Sequence, residues 1–137
     1  MKLKIIVSVV FFLTFLNHSA QNINQPKENL IGRWKFIKMI DENGKKLNPD
    51  ISLTKNSPKF KIKFPDVIYK ENGEIIIHPD HKSPLDGNWK WISDTKIVIN
   101  PKDQDFGKDT VQIELIKNMK MKFYRKGEPF IRIYKKK

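Results

Sequence analysis

The sequence predicts an all-β fold, an eight-stranded antiparallel up-and-down barrel, on three observations. After the first twenty residues the chain reads as eight short strand-like runs. The connections between them alternate in length: 41–58, 79–86 and 101–109 are long, 70–73, 93–95 and 117–118 are tight, and 126–129 is intermediate. Several of the runs alternate apolar and polar residues, the period of a strand with one buried face. Where each strand pairs with the one before it, odd connections lie at one end of the sheet and even connections at the other. One end is then closed by hairpin turns and the other is ringed by long loops, the layout of a barrel that holds something at its mouth.

The chain opens with a basic stretch, Met1-Lys2-Leu3-Lys4, followed by an almost wholly apolar run at 5–16 and by His18-Ser19-Ala20. This is the order of a secretory signal peptide, with cleavage expected after Ala20. Residues 21–28 read as a flexible lead-in, and residues 29–137 as one domain. The expected product is exported, periplasmic or secreted, and soluble. There is no cysteine, so its stability must come from packing and closed hydrogen-bond ladders. Loss of Lys2 and Lys4 takes the formal charge from +12 to about +10. A balance this basic favours anionic surfaces, although the lysines are spread along the chain and most are expected on a solvated outer face.

Taken in order, the first strand is 33–40, with Trp34, Phe36 and Ile40 on one face and Lys38 beside them. In the second run, Phe60, Ile62 and Phe64 alternate with Lys59, Lys61 and Lys63. The Asn72-Gly73 pair suits the positive φ angles of a hairpin turn before Ile75. Trp89 and Trp91 share a face opposite Asn88 and Lys90, and the polar Ser93-Asp94-Thr95 turn leads to Ile97 and Ile99. Val111, Ile113 and Leu115 alternate with Gln112 and Glu114, and after the Lys117-Asn118 turn Met119, Met121 and Phe123 alternate with Lys120 and Lys122. In the last strand both faces carry apolar groups: either Ile131 and Ile133 point inward, or Phe130, Arg132 and Tyr134 do. No sustained helical period follows Ala20, so a helix has room only in 41–58 or near 25–30.

Two Gly-x-Trp triplets, Gly32-Arg33-Trp34 and Gly87-Asn88-Trp89, each precede a strand-like run. With the Leu30-Ile31-Gly32-Arg33-Trp34 stretch, the long first loop, the eight-run meander and the basic-aromatic last strand, the chain resembles the lipocalin superfamily, most closely small bacterial lipocalin-like domains. The resemblance spans 29–135. It implies that Trp34 plugs the closed end, that Gly32 lets the chain turn there, and that an arginine of the last strand, matched here by Arg132, lies over the indole. Such a contact is worth about 0.5–2 kcal/mol when shielded from water. The same implication turns Arg132 inward, with Phe130 and Tyr134; Arg125 is the rival candidate but falls near the open end in this topology.

The expected function is binding of a small hydrophobic or amphipathic ligand in the barrel mouth. The candidate lining, by alternation, is Phe60, Ile62, Phe64, Trp89, Trp91, Val111, Ile113, Met119, Met121 and Phe123. The same side chains would equally make a filled core. On that alternative the protein is a non-enzymatic interaction module, binding an anionic envelope component or a protein through a basic exterior that includes Lys59, Lys61 and Lys63. His78-Pro79-Asp80-His81 lacks a third firm metal ligand, so no metal site is expected. No nucleophile elbow, phosphate-cradling glycine loop or catalytic cysteine occurs, so neither an enzymatic activity nor a cofactor is expected. No specific nucleic-acid site and no transmembrane anchor after cleavage are expected.

Overall fold

The computed structural model describes residues 29–51 and 55–137, so the expected signal peptide and lead-in lie outside the described residues. Among the described residues ten strands follow one another: β1 (Gly32–Ile40), β2 (Asp50–Ile51), β3 (Phe60–Lys61), β4 (Val67–Tyr69), β5 (Glu74–Ile77), β6 (Leu85–Trp91), β7 (Lys96–Pro101), β8 (Asp109–Ile116), β9 (Lys120–Arg125) and β10 (Ile131–Lys136). Eight of them form a closed antiparallel barrel in the order β1-β10-β9-β8-β7-β6-β5-β4, while β2 and β3 make a separate two-stranded sheet. The up-and-down barrel is therefore present, with a small hairpin added in the first long connection. That architecture is compatible with a lipocalin-like fold.

The tight turns are built as their residues dictate. Gly73 has φ +85°, and the Asn72 side chain accepts from the Glu74 amide at 3.0 Å. Ser93 Oγ accepts from the amides of Thr95 and Lys96 at 3.3 and 3.1 Å. Asn118 and Met119 both have positive φ, 63° and 54°. The third turn thus consumes Met119, whose side chain is exposed, and β9 begins one residue later than the alternation suggested.

Three expectations about the first half need correction. The alternating run around Phe60 is not a barrel strand. Only Phe60–Lys61 pairs, with Asp50–Ile51, and the barrel strand begins at Val67. Pro65 interrupts the run; it has no N–H to give a ladder and so separates hairpin from barrel. Phe60 is consequently exposed. Secondly, Lys38 does not share the face of Trp34 and Phe36. A register shift between Phe36 and Lys38 marks a bulge that turns Lys38 outward and brings Met39 in, opposite Arg132. Thirdly, Gly87 is not at a strand start but inside β6. A Cβ there would stand 2.7 Å from the Asn100 carbonyl oxygen and 2.9 Å from Pro101 Cα, so its lack of a side chain lets β7 approach.

The core runs through the barrel. Leu30, Trp34, Tyr69, Ile75, Ile97, Val111 and Met121 are its most completely buried members, joined by Trp89, Ile113, Phe123 and Tyr134. Outside the wall, Arg33 ties four segments together. Its guanidinium meets Asp66 at 2.9 Å and pairs with Asp80, while Lys137 reaches Asp66 at 3.3 Å. Burial pushes the Asp66 carboxyl up, but hydrogen bonds from Arg33 and Lys137 outweigh it and hold the group below its ordinary range; Arg33 lowers Asp80 likewise. A carboxyl lowered by folding stabilises the native state above its unfolded pKa, near pH 4, and that contribution disappears as pH falls through the folded value. Asp66→Asn is expected to lower the urea midpoint at pH 7 and to flatten its fall between about pH 4 and pH 2, as urea titrations at several pH values would show.

Candidate functional site

The two ends of the barrel differ in construction. At the closed end Trp34 is 1 % exposed, and its Nε1 donates to the Leu30 carbonyl at 2.8 Å. The cation above the indole is Lys136, with Nζ 5.7 Å from the ring centroid and a hydrogen bond to the Asn29 carbonyl at 3.0 Å. Gly32, at φ +125°, leaves room for the Lys136 stem, which a Cβ would meet at 2.8 Å. Trp34 and Gly32 lie together at this end with Lys136, and Arg132 does not reach it. In the antiparallel register Lys136 lies opposite Trp34, whereas Arg132 lies opposite Met39, toward the other end.

In the open half the barrel is not filled. A cavity of about 370 Å³ is walled by Val67 and Tyr69 of β4, Ile75 and Ile77 of β5, Leu85, Ile99, and Phe123 and Tyr134 of β9 and β10. Phe106 and Gly107 of the β7–β8 loop stand at its rim with Asp105, Asp109 and Arg125. Asp109 and Arg125 pair at 2.8 Å. Arg132 also faces the cavity. Its guanidinium lies 3.6 Å from the Phe64 ring centroid and 5.0 Å from that of Phe123, and Glu128 holds it through Nε at 2.9 Å and through Nη2.

One polar atom in this wall lacks a partner: the Tyr69 hydroxyl, on a fully buried side chain that packs edge-on against Trp89 at 5.4 Å. Burial, reinforced by Tyr134, pushes the Tyr69 phenol well above its ordinary pKa, with Arg132 opposing. Burial raises Tyr134 too. Both phenols are therefore neutral at physiological pH, and Tyr69 presents an O–H that can donate. An unsatisfied buried hydroxyl costs about 1–3 kcal/mol, which a ligand acceptor would recover.

Of the ten candidate lining residues only Phe123 touches this cavity. Trp89, Val111, Ile113 and Met121 point inward as expected but pack in the core without lining it, and Trp91 packs at 6.4 Å from Trp89. Phe64 braces Arg132 from outside the lining. Ile62 lies in a groove between β1 and the β2–β3 hairpin, with Lys38, Lys46, Lys61 and Lys63. Phe60 and Met119 stand on the surface. Tyr69, Ile75, Ile77 and Leu85 were not anticipated. Tyr69 was findable: it alternates with Val67 and stands just ahead of the Asn-Gly turn. In the loop after β5 the His78 and His81 rings lie 4.8 Å apart, and among the described residues no cluster of three metal-ligating side chains forms.

No protein-family model matches the chain, and no curated protein matches it.

Proposed function

We propose that this is an exported, lipocalin-like binding protein that takes a small amphipathic molecule into the open half of its barrel. The observation that carries the reading is the roughly 370 Å³ cavity, lined mainly by apolar side chains, with Tyr69 in its wall and the buried Tyr69 hydroxyl without a hydrogen-bond partner. A space of that size suits a small ligand, with burial of its apolar part as the driving force at about 25 cal/mol per Å² and a few polar groups fixing orientation. Tyr69 supplies a deep donor, and Arg132 and Arg125, each tied to a carboxylate, supply polar contacts nearer the mouth.

Native mass spectrometry of the protein purified without detergent tests this directly. A discrete extra mass that is lost on denaturation is expected. Two variants locate the site with that ligand or with a neutral apolar fluorophore. Ile77→Trp should block binding by filling the cavity. Tyr69→Phe should weaken a ligand carrying an acceptor by about tenfold, one buried hydrogen bond, without lowering the stability of the free protein. A bare mass together with no uptake of the fluorophore would overturn the proposal.

A further inference from the structure

We infer that the outer face of β1, β10 and β9 is a docking surface for an anionic lipid bilayer. These three strands are consecutive around the barrel. They carry nine Lys or Arg residues, three on each strand, and no Asp or Glu. Arg125, Arg132 and Lys136 serve the mouth, the cavity and the floor, and Arg33 is paired with Asp66 and Asp80. Five lysines remain for the outer face: Lys35, Lys38, Lys120, Lys122 and Lys135.

Their pairing is what a fold selected for stability alone avoids. Lys35 lies directly opposite Lys135, and Lys135 directly opposite Lys120, so one row across three strands is wholly lysine. Like charges facing one another across a ladder destabilise a sheet. Lys122 has a partner in Glu114 of β8 at 3.3 Å, but among the described residues no carboxylate forms an ion pair with Lys35, Lys38, Lys120 or Lys135. In the next row, Ile133 sits between Lys38 and Lys122 and is only 4 % exposed although it points outward. Lysine stems on either side can lie along such a side chain while their ammonium groups stay in solvent.

The shape of the patch selects the partner. Apart from Lys38, which borders the groove beside the β2–β3 hairpin, it is the outside of a barrel wall, which meets a broad headgroup layer better than it encloses a single strand. The aromatic ring on this face, Tyr124, is tied through its hydroxyl to Glu114 at 2.9 Å and offers no free platform for stacking bases. Lysines near an anionic membrane surface each strengthen binding by about fivefold, and three together by about a hundredfold.

Co-sedimentation of the protein with phosphatidylglycerol–phosphatidylcholine vesicles is the test. Lys35→Gln/Lys120→Gln/Lys135→Gln is expected to bind these vesicles about a hundredfold more weakly, and to unfold at the same or a higher temperature because the facing charges are gone. A control that removes equal charge elsewhere, Lys90→Gln/Lys96→Gln/Lys102→Gln, should retain most of the binding. Three results would overturn the inference: no binding of the unaltered protein to anionic vesicles at about 0.1 M salt, equal losses in the two triple variants, or tighter binding to a single-stranded DNA oligonucleotide than to the vesicles. Neither triple variant touches the cavity, so the test is independent of ligand uptake.

Discussion

Trp34→Ala is expected to lower stability by about 3–5 kcal/mol. A domain of this size has about 5–15 kcal/mol in total, so the variant should be close to unfolding at 37 °C. Three losses combine. The indole is almost completely buried, so its removal leaves a void at the closed end. The Leu30 carbonyl loses the Nε1 donor that reaches it at 2.8 Å, inside a protein interior. Lys136 loses the ring over which its ammonium group is held. Trp34→Phe separates the terms: it keeps a ring and gives up the hydrogen bond, and should cost roughly half as much. Urea unfolding followed by far-ultraviolet circular dichroism measures both without depending on tryptophan emission. A loss below about 1 kcal/mol for the alanine variant would show that the floor is not held by this side chain. Because the cavity lies in the other half of the barrel, the phenylalanine variant should still take up ligand.

The same contrast between the two ends explains which features the sequence made legible. Alternation placed Trp89, Val111, Ile113, Met121 and Phe123 inward because a strand's side-chain period is fixed at two, whatever surrounds it. The Asn72-Gly73 and Ser93 turns were legible for a similar reason: their chemistry is local. Alternation does not say which sheet a run joins. The Phe60 run has a strand's pattern, yet Pro65 sends it into a hairpin beside the barrel. A single bulge reverses every face beyond it, as at Lys38, and no residue near it announces that. The error at Arg132 is different in kind, because the sequence contained what was needed. An antiparallel last strand running toward the floor brings its final residues, not its second, beside Trp34; the register pairs Trp34 with Lys136. The cavity itself was not legible. It depends on how far loops of the open end, such as that carrying Phe106, stand from the walls, and neither periodicity nor composition carries that distance.

Removing Glu128 is expected to produce the second large effect. Glu128→Ala leaves the Arg132 guanidinium largely buried against Phe64 without the carboxylate that binds it at two nitrogens, and should cost about 3 kcal/mol. Arg125, whose Nη1 lies 3.8 Å from the same carboxylate, also loses a neighbour. A charge deprived of its partner in a low-dielectric site is far more costly than the absence of both, so Arg132→Met/Glu128→Gln should lie much closer to the unaltered protein. A double-mutant cycle in urea is expected to return a coupling of about 2 kcal/mol, and a value near zero would show that the pair is effectively solvated. The cycle also bears on recognition. While Glu128 neutralises Arg132, the inner polar contacts of the cavity carry little net charge, and a ligand acceptor meets the neutral Tyr69 hydroxyl rather than a bare cation. Glu128→Gln keeps the side chain's shape and frees the guanidinium charge. It should therefore tighten binding of a carboxylate-bearing probe and leave a neutral probe of the same size unchanged. Equal affinities for both probes before and after the substitution would mean that Arg132 braces the wall and plays no part in reading the ligand.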